Sequence, residues 1–152
     1  IGFVPTMGAL HLGHRTLIRE AAKKTDAVVV SIFVNPTQFG PKEDFNRYPR
    51  PEAQDLQILE EEKVSIAYLP TVEEMYPQGF KTNLEAGVLG NVLDGTHRPG
   101  HFDGVVTVVK KLFDQVKPDI AFFGEKDYQQ LCVIKSMVKE QNLPLKITSV
   151  PT

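Results

Sequence analysis

The sequence predicts an α/β domain built on a doubly wound parallel sheet with helices on both faces. Three observations carry that expectation. Strand-like and helix-like segments alternate along the chain. The strand-like ones are continuous β-branched or apolar runs, above all "AVVVSIFV" at 27–34, as in strands buried on both faces. The helix-like ones repeat apolar residues at spacings of three and four.

Taken in order, Ile1–Val4 is a short apolar run before Pro5, read as a buried strand that ends near Thr6. From His14 to Lys24, Leu17, Ile18, Ala21 and Ala22 follow helical spacing, and Lys23 and Lys24 suit a last turn. The stretch 27–34 is the second strand, and the proline-rich 35–51 is a loop. Pro51 can open a helix over "EAQDLQILEEEK", with Leu56, Leu59 and Lys63 on one narrow inward face. "VSIAYLP" is a third strand, and 71–104, rich in Gly and Pro, is connecting structure with short strands. The length of 105–116 favours helix, with Val105, Val109, Leu112 and Val116 as its stripe. "DIAFFG" is a strand, 127–142 a helix with Leu131, Ile134 and Val138 inward, and "LKITSV" a last strand.

A chain of 152 residues with 41% hydrophobic and 24% charged residues suits one globular domain with a sizeable core. A formal net charge of −2 supplies no basic field for a polyanion, so no nucleic-acid partner is expected. The lone Cys132 excludes an internal disulfide and a multi-cysteine zinc site, and reads as a small core residue. No run approaches the roughly 20 apolar residues of a membrane span, and no membrane partner is expected. The chain starts at Ile1 rather than Met and stops just after a strand, which reads as a piece of a longer protein.

Ligands of such sheets sit at the carboxyl ends of the strands, and the chemistry-bearing residues cluster there. In "PTMGALHLGH" (5–14) a strand passes through a Gly8 turn into a helix. Unpaired N–H groups and partial positive charge at that helix start suit phosphate. Gly8 and Gly13 allow close approach, and His11 and His14 can donate to phosphate oxygens. The same residues also fit a helix cap with two part-exposed histidines, or a zinc pair lacking a third ligand. "FFGEKDYQQL" (122–131) repeats the strand–glycine–helix pattern with Lys126 and Asp127 on the turn. A lysine there neutralises phosphate and a carboxylate takes ribose hydroxyls; a solvated surface turn is the other use. In "FVNPTQFG" (33–40), Asn35 and Gln38 follow a buried strand, as polar substrate contacts or as ordinary turn residues. "DGTHRPGHFDG" (94–104) holds His97, Arg98, His101 and Asp103, in an anion-facing loop or a flexible turn.

"PTMGALHLGH", "SIFVNPTQFGP", "RPGHFDGVVTVV" and "FFGEKDYQQL", in this order and spacing, resemble the pantothenate synthetase (pantoate–β-alanine ligase) family. H-x-G-H alone marks only the wider superfamily of nucleotidylyltransferases and class I aminoacyl-tRNA synthetases. The resemblance covers essentially the whole chain and corresponds to the family's nucleotide-binding domain. It implies a Rossmann-like fold spanning 1–152, with the family's Ser-Ser-Arg segment and C-terminal lid domain absent from this chain. It further implies ATP as co-substrate, Mg2+ held mainly by phosphates and water with no protein metal ligand, a homodimer and a cytoplasmic location.

The implied chemistry joins pantoate to β-alanine through a pantoyl adenylate, releasing pyrophosphate and then AMP. Carried over by match, Met7, Gly8, Ala9, Leu10, His11, Leu12, Gly13 and His14 form the ATP loop. His11 and His14 contact phosphates, and His14 is the family's proton donor. In "GEKD", Gly124 and Asp127 lie on the adenosine side and Lys126 at the α-phosphate, with Glu125 also among the ATP-binding residues. Gln38 and Gln130 bind pantoate, Gln38 also near β-alanine, with Asn35 and Tyr48 as neighbours. Two other readings stay open. One is an adenylyltransferase of the same superfamily acting on a phosphate ester, which the paired Gln38 and Gln130 disfavour. The other is a non-catalytic nucleotide-binding or dimerisation fragment.

Overall fold

In the computed structural model, which describes residues 1–36, 51–77 and 101–152, five parallel strands form one sheet. In chain order the described elements are β1 (Gly2–Thr6), α1 (Leu12–Lys24), β2 (Val28–Ile32), α2 (Glu52–Glu61), β3 (Ile66–Tyr68) and α3 (Val72–Met75). Then come α4 (His101–Val116), β4 (Ile120–Gly124), a 3-10 turn (Glu125–Asp127), α5 (Tyr128–Glu140) and β5 (Lys146–Val150). The strand order is β3-β2-β1-β4-β5, so the winding reverses between β1 and β4. The expected doubly wound α/β architecture is therefore present.

Alternation along each strand divides the core between the two faces. Phe3, Val29, Ala121 and Phe123 join Val105, Val106, Val109 and Leu112 of α4 and Leu131, Val133, Ile134 and Met137 of α5. Val4, Val28, Val30, Phe122 and Val150 face the other way, onto Leu17, Ile18 and Ala21 of α1 and Leu59 of α2. The apolar runs read as continuous because both faces are covered.

The pairing of β1 with its two neighbours is unequal. Along β2 it holds over the full strand, from Gly2 opposite Val28 to Thr6 opposite Ile32. Along β4 it consists of Gly2 opposite Ile120 and Phe3 opposite Ala121, and goes no further. Backbone parity supplies the reason. The Gly2 N–H donates to the Ala27 carbonyl, and the Thr6 carbonyl accepts from Phe33 N–H, so even positions of β1 face the β2 side. Odd positions therefore face β4, and the next of them after Phe3 is Pro5, which has no N–H. The ladder stops there, at the reversal point, where β1 runs on into α1 on one face and β4 into α5 on the other, which leaves a crevice between them.

Several boundaries and faces differ from expectation. Helix α1 starts at Leu12, because His11 caps it (below). In α2 the inward residues are Asp55 and Leu59, whereas Leu56 is 39% exposed and Lys63 lies beyond the helix end with φ 58°. The polar Asp55 has a buried partner, described below, and that rotates the helix away from its purely apolar register. Ala22 is exposed, and Met137 joins the inward face of α5, where the half-buried Val138 packs against the same core as expected. His101 and Asp103 lie in the first turn of α4 rather than in a loop. Cys132 is half-buried. Ion pairs fasten α1 to α2: Arg15 donates to Glu61 and Glu62 at 3.0 and 2.9 Å, and Arg19 to Glu62 at 2.9 Å. Chiefly through its hydrogen bond from Arg19, the Glu62 carboxyl is held below its usual range.

The corrected face of α2 separates two otherwise similar substitutions. Leu59→Ala should cost about 2–4 kcal/mol of unfolding free energy in urea titrations, and Leu56→Ala less than about 1 kcal/mol.

Candidate functional site

The crevice between β1 and β4 carries two adjoining cavities. One, of about 180 Å3, is lined by Pro5, His11, Gly13, His14, Gly124, Lys126, Asp127, Gln130 and Thr152, among others. The histidine-bearing turn after β1 and the lysine–aspartate turn after β4 thus face each other across one cleft, at the carboxyl ends of the two strands. The second cavity, about 450 Å3, shares Pro5, His11, His14, Phe123, Asp127 and Gln130 with the first. It adds Met7, Gly8 and Ala9, and an apolar floor of Phe33, Val105, Val108, Val109 and Leu112. A polar rim over an apolar floor suits a small ligand with a hydrocarbon body and a charged end.

The turn after β1 is held from within. Gly8 has φ 82° and Ala9 φ 52°, two successive left-handed residues. The Gly8 N–H donates to Thr6 Oγ1 at 3.2 Å. The next two N–H groups, of Ala9 and Leu10, donate to the two oxygens of Asp55 at 2.9 and 2.8 Å. A side chain at Gly8 would meet Asp55 Oδ2 at 3.0 Å and Ile32 Cγ2 at 3.2 Å, so this glycine is required twice over.

His11 and His14 cap the helix that follows. Gly13 N–H donates to His11 Nδ1 at 3.0 Å, and His11 N–H donates to His14 Nδ1 at 3.1 Å. This is the reciprocal arrangement of a capping box with imidazoles in place of hydroxyl and carboxylate. The rings lie 4.1 Å apart between centroids, tilted by 47°. Gly13 makes the fold-back possible, since a Cβ there would come within 2.9 Å of His11 Cε1.

The cap reading and the ligand reading of these histidines are therefore compatible. Each Nδ1 is engaged as an acceptor, which leaves each Nε2 as the nitrogen able to donate outward. Burial, then the neighbouring His11, lowers the His14 pKa to about 4, against a smaller upward pull from Asp55. His14 is neutral at pH 7, with its proton on Nε2.

The expectation of bare N–H groups at this helix start needs correction. The N–H groups of Ala9, Leu10, His11 and Gly13 all have internal acceptors. What this turn leaves available to an anion is mainly its imidazole side chains.

Of the other expected site residues, Leu10 is buried in the core, Leu12 is 70% exposed, and Glu125 accepts a hydrogen bond from Ser149 Oγ at 3.3 Å. Asn35 is fully buried; its amide donates to the Gly104 carbonyl at 3.2 Å and accepts from Tyr76 Oη at 2.8 Å. Gln38, Tyr48, His97 and Arg98 lie outside the described residues, as does the His101 side chain. Sequence reasoning missed Pro5 and Phe123, which shape the cleft, Thr152, which closes against Gly124 and Gly13, and Asp55. The legible signal for Asp55 was an acidic residue one helical turn before Leu59 on the same face.

The comparisons agree over the whole chain. The family model described as "Pantoate-beta-alanine ligase" matches residues 1–152. A pantothenate synthetase from Aquifex aeolicus is 58% identical over 99% of this chain and 54% of its own length. The crystal structure of a Thermus thermophilus pantothenate synthetase superposes with a TM-score of 0.94 at 52% identity, over 99% of this chain and 55% of that one. A Francisella tularensis pantoate-beta-alanine ligase, complexed with beta-gamma ATP and beta-alanine, superposes with a TM-score of 0.94 at 48% identity. It covers 99% of this chain and 58% of that one. This chain spans about half the length of the curated relatives it matches.

Two tests follow from the capped turn. The folded-state pKa of His14, about 4, lies below the ordinary 6.5, so its neutral form stabilises the fold above pH 6.5 and that contribution is lost as pH falls through about 4. Unfolding free energy should therefore decline on acidification across this window, and decline less steeply in His14→Gln. Gly13→Ala should expel the His11 ring from its capping position, at about 1 kcal/mol in denaturant titrations. Imidazole nitrogen shifts in NMR would report the displaced ring.

Proposed function

This chain belongs to the pantoate-beta-alanine ligase family, and from that premise we propose that its crevice binds ATP and activates the carboxylate of pantoate for amide formation with β-alanine. The observation that carries the reading is the meeting of His11, His14, Lys126, Asp127 and Gln130 around one crevice at the β1/β4 reversal. Residues 1–152 then form the ATP- and pantoate-binding domain of the active protein, and a lid domain belongs to the remainder of its length.

In the first half-reaction a pantoate carboxylate oxygen bonds to the α-phosphorus of ATP, and the bond from that phosphorus to the bridging oxygen of pyrophosphate breaks. Negative charge grows on the phosphoryl oxygens. The Nε2–H donors of His11 and His14 and the Lys126 ammonium face that charge, the two imidazoles held by the helix cap before the reaction begins. A neutral His14 serves as a hydrogen-bond donor; as a triphosphate approaches, its charge favours the imidazolium and enables proton donation to the departing oxygen. In the second half-reaction the β-alanine amine bonds to the acyl carbon, the bond from that carbon to the AMP oxygen breaks, and the amine gives up a proton.

Gln130 sits where both cavities meet and orients the acid over the apolar floor, with Gln38 and Tyr48 assigned to the same substrate. Asn35 supports the floor by joining β2 to the first turn of α4. The adenosine end lies by Gly124 and Asp127. For Mg2+, the donor set fits an ion carried by the phosphates and water. Among the described residues no three metal-ligating side chains gather, the Asp55 oxygens are occupied by amides, and Asp127 is the carboxylate at the rim. Bound there, the ion would neutralise phosphate charge. The family resemblance also supports a homodimer in the cytoplasm.

Isotope exchange between pyrophosphate and ATP, measured on the protein carrying this chain, should require pantoate. His14→Ala should slow it roughly 100-fold, the scale of losing one preorganised donor. Exchange that proceeds without pantoate, or that is indifferent to His14, would count against the assignment.

A further inference from the structure

Asp55 lies outside both cavities of the crevice, yet everything the β1 turn presents to them depends on where its carboxylate stands. It is 2% exposed, on α2, and its two oxygens take two successive backbone N–H groups, from Ala9 at 2.9 Å and Leu10 at 2.8 Å. Ala9 holds a left-handed φ of 52°, a conformation an alanine leaves unless its surroundings fix it. The next residue after Leu10 is His11, the helix cap whose ring lies tilted against that of His14. Met7 and Gly8 stand between the carboxylate and the crevice, lining a cavity with Asp55 on one side and the second cavity of the crevice on the other.

The support behind Asp55 is itself rigid. Leu59, one turn along α2, is buried in the same core cluster as Leu10, Leu17 and Ile18. Arg15 and Arg19 of α1 reach the far end of α2 through Glu61 and Glu62. Both ends of the H-x-G-H segment are thereby referenced to one helix: its entry through Asp55, its exit through these ion pairs.

We propose that Asp55 is a positioning residue for nucleotide binding, which clamps the Ala9 and Leu10 amides from behind the turn and so aims the His11 and His14 side chains at the triphosphate. The carboxylate also withholds those two amides from the ligand. Phosphate is then read by side chains that can change their protonation, rather than by a backbone nest. An anion behind a phosphate site is electrostatically unfavourable for the ligand, so its place there is explained by geometry, with the turn as a spacer. This inference rests on the reading of the crevice as an ATP site.

The test joins amide hydrogen exchange to ligand titration in the protein carrying this chain. Without nucleotide, the Ala9 and Leu10 amides should be protected to a degree comparable with sheet amides such as Val30; exchange at the rate of free amides would overturn the clamp. Asp55→Asn keeps one acceptor oxygen and the side-chain volume, but turns a donor toward one of the amides. It should unfold cooperatively, lose protection at Ala9 or Leu10 while keeping it at Val30, and bind ATP about tenfold more weakly, the scale of one lost charge-assisted hydrogen bond. The KM for ATP should rise with that for pantoate unchanged, a split that general loosening of the fold would not produce. Unaltered ATP affinity, parallel loss for both substrates, or loss of the cooperative transition would each overturn the positioning role. Failure of the unsubstituted protein to bind ATP would instead remove the reading of the crevice, while amide protection still reports on the clamp.

Discussion

A missing hydrogen-bond donor organises this molecule. Pro5 occupies the position of β1 whose N–H would face β4, so the ladder between the two central strands ends after Phe3 and Ala121. The ladder thus stops where the winding reverses, beside the point where the connections from β1 and β4 leave toward opposite faces and open a crevice. Pro5 and Phe123 line both resulting cavities, which makes the two unjoined strand ends the walls of the site. The split carries little penalty in the core. Phe3, Val4, Ala121 and Phe122, where the ladder ends, are fully buried, so packing adds to the pairing that remains.

On top of that split, the turn after β1 is satisfied almost entirely by its own chain. Thr6, Asp55, His14 and His11 take up the backbone donors of Gly8, Ala9, Leu10, His11 and Gly13, and the two imidazoles cap a helix while keeping Nε2 free. One pair of side chains thus caps the helix and, in the proposed function, also meets the ligand. The economy has an electrical consequence. Burial beside His11 keeps His14 uncharged at neutral pH, and in the proposed role a bound anion would favour its charged form. Opposite stands Lys126 on a short turn whose own carboxylates, Glu125 and Asp127, flank it.

Most of the architecture was visible in local patterns. Buried parallel strands announce themselves as β-branched runs, and the stripes of α4 and α5 follow helical spacing, so element order and the doubly wound class could be read in advance. The two ligand-facing turns could be read as well, because each combines a strand end, a glycine and charged or imidazole side chains. Misreadings occurred where a side chain's partner is distant along the chain. Apolar spacing predicts Leu56 inward on α2, since apolar residues ordinarily define the inward face; the true face holds Asp55, whose partners, Ala9 and Leu10, lie more than forty residues earlier. Likewise the amides at the start of α1 were expected to await a ligand, since nothing nearby in sequence announces a buried carboxylate behind them.

By itself the amino-acid sequence determined the elements, their alternation and the chemical groups available to the site, all set by local periodicity, turn chemistry and residue type. It also determined the family, through four motifs in order. Only the tertiary structure decided which amides remain for a ligand, which face of α2 is buried and how the two turns meet across the β1–β4 split. Those outcomes depend on contacts between segments far apart in the chain, and no local pattern encodes the distance between them.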